Sequence, residues 1–222
     1  MNTAEFKQKL RLEIGKLELR AAANPKEKRA IDDQVLSKKF MLKRLDQFGN
    51  YRSIEYRSFP VSSGMTARSS VSTAQGHYLT GRPIVFNQRT NLGWFDEIID
   101  SKALNAADMK DARFLVNHDQ AMIPLARNGS TMSMKIDSTG LNVTVNLDTE
   151  NNPTAKSLYS AVHRGDIDGM SFAFVVDKDA WEKTDTDHPT RRILSIMKVA
   201  EVSAVTYPAY KETSIQIMKG VK

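Results

Sequence analysis

The sequence predicts an α+β protein, mostly β with flanking helices: an antiparallel β-barrel preceded by an N-terminal helical segment. Three observations carry this. Phe6, Leu10, Ile14 and Leu17 recur at spacings of four, four and three, the mark of an amphipathic helix. Leu141, Val143, Val145 and Leu147 alternate strictly, so one face of that strand is buried and the other wet. Beyond residue 77 the chain breaks into short β-rich runs separated by turn residues, as barrels and sandwiches do.

The first helix is expected over residues 3–22, with Thr3 as its cap. Asn24-Pro25 ends it, because the residue before proline avoids helical geometry. Residues 26–48 predict a second helix, with Leu36, Phe40 and Leu45 among many charges and Gly49-Asn50 closing it. Two such helices bury little alone, so the pair is expected to meet another chain or to dock loosely. The stretch PVSSGMTARSSVSTAQG has linker composition. The expected organisation is therefore a charged helical segment at 1–60, a linker at 61–76 and a β domain at 77–222.

Within that domain, HYLTGRPIVFN (77–87) and RFLVNH (113–118) read as strands. TMSMKID (131–137) and LNVTVNL (141–147) flank Ser138-Thr139-Gly140, a hairpin signal. A short helix is expected near 100–109 and a longer one at 152–165, with Pro153 in its first turn and Gly165 past its end. Strands follow at about 170–177 and 192–207.

Composition narrows the function. Of 222 residues, 41% are hydrophobic and 26% charged, as in soluble globular proteins. No run is long enough to cross a bilayer, and the first twenty residues lack a signal-peptide apolar core. A cytoplasmic protein with no membrane partner is expected. The absence of cysteine excludes thiol catalysis, disulfides and cysteine-based zinc sites. The net charge of +6 sits mostly in residues 1–48, which hold 12 Lys/Arg against 7 Asp/Glu. The remainder is close to neutral, so the excess reads as a solvated helical face rather than a nucleic-acid surface.

One residue stands out in GDIDGMSFAFVV. Ser171 interrupts a run that a buried strand would fill with hydrophobes. Of four histidines, His77 follows the linker, His163 lies beside Arg164, and His188 sits in a charged loop. His118 differs, because it ends the apolar strand RFLV where strand meets loop, a common mount for catalytic groups. Glu201 is a carboxylate inside the apolar stretch VAEVSAVTYPAY, where it needs a partner or water. Singly, each has an ordinary structural reading. As a set they supply a nucleophile, a base and a carboxylate to orient the base. The chain order His, Ser, Glu and the lack of Gly-x-Ser-x-Gly make the chymotrypsin, subtilisin and α/β-hydrolase folds poor candidates. The acidic pairs Asp166/Asp168 and Asp185/Asp187 fall in loops and read as solvated, so no metal and no cofactor is expected.

The blocks FLVNHD, STGLNVTVNLDTE, VHRGDIDGMSFAFVV and VAEVSAVTYPAY resemble the prohead, or capsid maturation, proteases of tailed bacteriophages over roughly residues 78–215. That family is similar in fold to the herpesvirus assemblins, a β-barrel flanked by helices. The resemblance implies a serine endopeptidase with His118 and Ser171 as the reactive pair and Glu201 as third member. Asp119 and Asp168 are alternative carboxylates. It also implies the major capsid protein and its scaffolding segment as partners, cleavage of the enzyme itself, room for self-association, and action in the host cytoplasm inside the assembling prohead. Residues 1–60 lie outside the common core, as a pro-segment, a packaging element or a scaffold-like pair. The rival expectation is a non-catalytic capsid-associated scaffold or binding module.

Overall fold

The computed structural model describes residues 1–24, 26–46, 54–58, 66–69 and 76–206. In chain order the elements are α1 (Thr3–Ala23), α2 (Lys28–Leu45), β1 (Glu55–Ser58), β2 (Thr66–Ser69), β3 (His77–Val85), β4 (Arg89–Asn91), β5 (Asp96–Ile99), β6 (Arg113–Val116), β7 (Ala126–Arg127), β8 (Met132–Ile136), β9 (Gly140–Leu147), α3 (Pro153–Arg164), β10 (Gly169–Glu182) and β11 (Thr190–Val205). The class is α+β and mostly strands, with the helical pair first, as the periodicities predict. No helix among the described residues is long and apolar enough to cross a membrane.

The strands form two sheets. One runs β2-β3-β9-β8, all antiparallel. The other runs β1-β10-β11-β5-β4, with β6 and β7 attached through β11. Its long strand β11 pairs antiparallel with β10 along its length. On its other edge it pairs parallel with β5 through residues 190–193 and with β6 through residues 201–204. Among the described residues these two are the parallel ladders, and the isolated bridges Asp108 to Lys198 and Asn128 to Met132 are parallel as well. No ladder there joins the two sheets into one ring.

The core lies between the sheets. Leu79, Ile84, Val143 and Val145 face Phe172, Phe174, Val199 and Val202, and α3 adds Leu158 and Val162. Residues 169–176 are buried without a break, so β10 is covered on both faces. The rings of Phe172 and Phe174 stack at 4.7 Å and bury themselves in this core, on the face opposite Ser171.

The hairpin β8–β9 turns where Ser138-Thr139-Gly140 predicts. Asp137 accepts hydrogen bonds from the hydroxyl and N–H of Thr139 and from the N–H of Gly140. Led by the Thr139 hydroxyl, these donors hold its carboxyl well below the usual carboxylate range. Gly140 touches β3 so closely that a Cβ there would lie 1.9 Å from the Ile84 carbonyl oxygen. Because backbone rather than a flexible side chain stands in the way, Gly140→Ala is expected to cost about 3 kcal/mol. The denaturant midpoint should fall accordingly.

Several local expectations need correction. The segment near 100–109 is a chain of turns, not a helix. Asp100 and Asp108 each accept the backbone N–H two residues on, which favours turns over helix. Asn2, not Thr3, caps α1, in a capping box with Glu5. The Thr3 hydroxyl instead donates to Asp179 Oδ2 at 2.6 Å and accepts from Trp181 Nε1 at 2.8 Å. In α2 the buried stripe is Ile31, Val35 and Leu45, whereas Leu36 and Phe40 are exposed. The helical pair also docks specifically. Phe6 and Leu10 pack with Leu45 against Phe95 and Trp181 of the β structure.

Short strands also occur where helix-rich and linker sequence is expected: β1 pairs with β10, and β2 with β3. Most of the 61–76 segment, Pro25, Gly49-Asn50 and the block Tyr207-Pro208-Ala209-Tyr210 lie outside the described residues.

Candidate active site

Three strands bring Ser171, His118 and Glu201 together. Ser171 is on β10 and lies opposite Ser203 of β11. Glu201 is two residues before Ser203, so both side chains leave the same face. Beside Glu201 the β10–β11 ladder skips Ala200, a bulge of the kind that re-aims side chains next to functional sites. His118 follows β6, which runs parallel to this part of β11.

The turn after β6 aims the imidazole. Asn117 and His118 have φ of +52° and +58°. Such left-handed geometry is uncommon outside glycine, though Asn and His tolerate it better than most residues. Asn117 secures the turn through its side chain, which donates to Thr206 Oγ1 at 3.1 Å and accepts from the Thr206 N–H at 2.9 Å. The His118 N–H donates to Ser203 Oγ at 3.3 Å.

His118 Nδ1 is 2.5 Å from Glu201 Oε1, and Nε2 is 2.6 Å from Ser171 Oγ. A carboxylate only accepts, so Nδ1 carries the proton and a neutral ring offers Nε2 as acceptor. Nε2 is then placed to take the Ser171 proton. The other oxygen of Glu201 accepts from the Ser203 hydroxyl. Glu201 is 3% exposed, so both of its oxygens need such donors. The alternative carboxylates do not join this group. Asp119 is exposed and accepts the Ala121 N–H, and Asp168 is exposed beyond α3.

Ser171 Oγ has a second neighbour, the carbonyl oxygen of Arg57 at 2.9 Å. The hydroxyl carries one hydrogen and so serves one acceptor at a time. The Tyr56 ring stands edge-on to His118 at 4.9 Å. With β1 in this position, Ser171 is fully buried.

Next to the site lies a buried ionic cluster that the sequence reading does not anticipate. Arg191, 1% exposed, donates to Glu55, Glu97 and Asp179. Burial alone would lower its pKa, but these three carboxylates outweigh it and the pKa is raised. Arg57 Nε donates to Glu97 Oε1 at 2.6 Å.

The remaining histidines are spoken for elsewhere. His188 bonds to Asp96, and His77 to Thr149. His77 and His163 share a shallow cleft over α3 that includes none of the His118 group. Among the described residues no three His, Asp or Glu side chains gather as metal ligands.

The model of the caudovirus prohead serine protease family matches residues 65–221. The chain belongs to this family. The prohead protease of Enterobacteria phage HK97 is 32% identical over 144 residues, which is 64% of this chain and 60% of that protein. The chain thus spans about 60% of that relative's length. The solved structure of the bacteriophage T4 capsid assembly protease aligns over 70% of this chain and 98% of its own, with a TM-score of 0.44 and 13% identity. His118, Ser171, Glu201 and Ser203 all fall inside the range matched by the prohead protease family. The helical pair and β1 precede it.

Ser203 is the site residue missed from sequence, though its two-residue spacing from Glu201 was the available signal. A hydrogen bond to a charged group is worth about 1.5–3 kcal/mol. Ser203→Ala is therefore expected to lower turnover about 10- to 100-fold by loosening Glu201. Initial rates measured beside circular dichroism would separate this from misfolding.

Proposed function

We propose that this member of the prohead protease family is a serine endopeptidase that cuts capsid and scaffold segments during prohead maturation. The observation that carries the reading is the continuous hydrogen-bonded line from Ser171 Oγ through both ring nitrogens of His118 to Glu201. Ser171 attacks the scissile carbonyl while His118 Nε2 takes its proton. Glu201 keeps the other ring nitrogen protonated and stabilises the imidazolium. His118 then returns the proton to the leaving amine, and water repeats the sequence on the acyl-enzyme. Ser171 and Glu201 are buried, so these groups interact in a setting of lower dielectric than water.

The partners under this reading are the major capsid protein with its scaffolding segment and further copies of the enzyme, inside the assembling prohead. The test is co-expression with the phage's capsid protein, read by intact mass, together with a fluorophosphonate probe. Discrete capsid fragments and covalent labelling at Ser171 are expected. Intact capsid protein and no labelling would leave the rival scaffold reading standing.

A further inference from the structure

We propose that the Arg57–Ser58 peptide bond is a self-processing site seated in the cleft, and that Glu97 makes the cleft select a basic residue before the cut. The proposal rests on the protease reading and gives that site its substrate class.

Strand β1 lies where an extended substrate would. It adds antiparallel to the outer edge of β10, pairing Glu55 with Phe174, Tyr56 with Ala173, Arg57 with Phe172 and Ser58 with Ser171. Adding a strand to a sheet edge is a general mode of peptide recognition: main-chain bonds hold the peptide and alternate side chains fill pockets. The register brings one carbonyl to the nucleophile, that of Arg57 at 2.9 Å from Ser171 Oγ. Tyr56, one residue earlier, rests on His118. Gln120 donates to the Tyr56 hydroxyl at 2.8 Å and holds it there.

The alternate side chains, Glu55 and Arg57, enter a built pocket. Arg57 meets both oxygens of Glu97, with Nε to Oε1 at 2.6 Å and a terminal nitrogen to Oε2 at 3.1 Å. Paired contacts of this kind specify a guanidinium by geometry as well as charge. Glu97 is 0% exposed, so its charge requires a cation. Glu55 meets Arg191 through both oxygens, at 2.6 and 3.0 Å. If β1 is taken away, Glu97 and Asp179 remain around Arg191, two carboxylates facing one guanidinium. The vacated pocket is one negative charge in excess at the position Arg57 filled. It is built for an incoming peptide with a basic residue before the cut, and an acidic residue two positions earlier suits Arg191.

The chemistry closes with water as the only co-reactant. The hydroxyl hydrogen of Ser171 turns from the Arg57 carbonyl to His118 Nε2, and Oγ attacks the Arg57 carbonyl carbon. The C–N bond to Ser58 breaks, and His118 returns its proton to the Ser58 nitrogen. Water then splits the acyl-enzyme, leaving a carboxylate on Arg57, a new amino terminus at Ser58, and Ser171 restored.

The test uses the full chain and a peptide of residues 53–62. Incubation of wild type, read by intact mass and amino-terminal sequencing, is expected to yield a chain beginning at Ser58. Ser171→Ala and Arg57→Gln chains should keep that bond. In trans, wild type should cut the peptide after its arginine and cut the Arg57→Gln form at least ~100-fold more slowly. The Glu97→Gln enzyme should lose most of that ratio, which is insensitive to the amount of folded enzyme. Equal rates on the two peptides would overturn the proposal. So would a wild type that processes capsid protein in a Ser171-dependent way yet never cuts at Arg57–Ser58, a result that spares the protease reading. No Ser171-dependent cleavage of any substrate would remove both.

Discussion

Ser171→Ala is expected to abolish proteolysis while leaving the protein folded. A serine that works with a histidine carries on the order of 10⁶ of turnover, because no neighbouring group can replace its nucleophilic oxygen. The stability side is small. Ser171 is fully buried and its hydroxyl lies between His118 Nε2 and the Arg57 carbonyl. Removing it takes one donor from that pair of acceptors, at a cost of about 1–3 kcal/mol. Alanine fits the strand, and neither register partner, Ser58 nor Ser203, depends on the hydroxyl for its ladder bonds. The measurement is capsid-protein cleavage by intact mass, with thermal melts as folding control. A Ser171→Ala protein that still cuts at the wild-type rate would eliminate this nucleophile.

Glu201→Gln is expected to reduce turnover by up to about 10⁴, the loss known when the orienting carboxylate of a serine protease becomes an amide. Two oxygens of Glu201 accept here, one from His118 Nδ1 and one from Ser203. A glutamine has one oxygen and one NH₂. Either its NH₂ faces Ser203 and competes with the serine's own hydrogen, or it faces Nδ1 and favours the wrong tautomer. In neither case does it stabilise an imidazolium. His118→Ala should be at least as damaging, since it removes the base itself. Asp119→Asn and Asp168→Asn should stay within a few-fold of wild type, as both residues are exposed and neither bonds to His118. Initial rates for the four variants decide the matter. A near-normal Glu201→Gln beside an inactive Asp119→Asn or Asp168→Asn would move the third role to that aspartate.

What could be read from sequence was local. The stripe of Phe6, Leu10 and Ile14 marks α1, the alternation from Leu141 to Leu147 marks β9, and Asn152-Pro153 with Gly165 brackets α3. Ser171, His118 and Glu201 could be singled out because each breaks the pattern of its own strand. His118 lies within hydrogen-bonding reach of both Ser171 and Glu201 because β10, β11 and the end of β6 are neighbours. The unread parts depend on partners far apart in sequence. Glu55, Glu97, Asp179 and Arg191 each look like ordinary surface charge; only the pairing of β1 with β10 and β5 with β11 buries them together. The strand β1 follows a helix-rich stretch and has four residues, too few for a period to show. Thr3 looked like a cap because its partner Asp179 lies 176 residues away.

The outer edge of β10 gives the strand β1 a second importance, one of solubility. Among the described residues β1 pairs with that edge from Ser171 to Phe174, and farther along Met1 exchanges backbone hydrogen bonds with Trp181. The sequence beneath is Gly-Met-Ser-Phe-Ala-Phe-Val-Val, uncharged, rich in β-formers and free of proline. A bare edge of this composition is a template on which any extended chain can add, including another copy of itself. Where neighbouring polypeptides are concentrated, a molecule that lost β1 would fill its edge with whatever strand arrived first. Under the proposed self-processing, vulnerability to aggregation and the capacity to seize a peptide are one property, and the four residues of β1 act as its stopper.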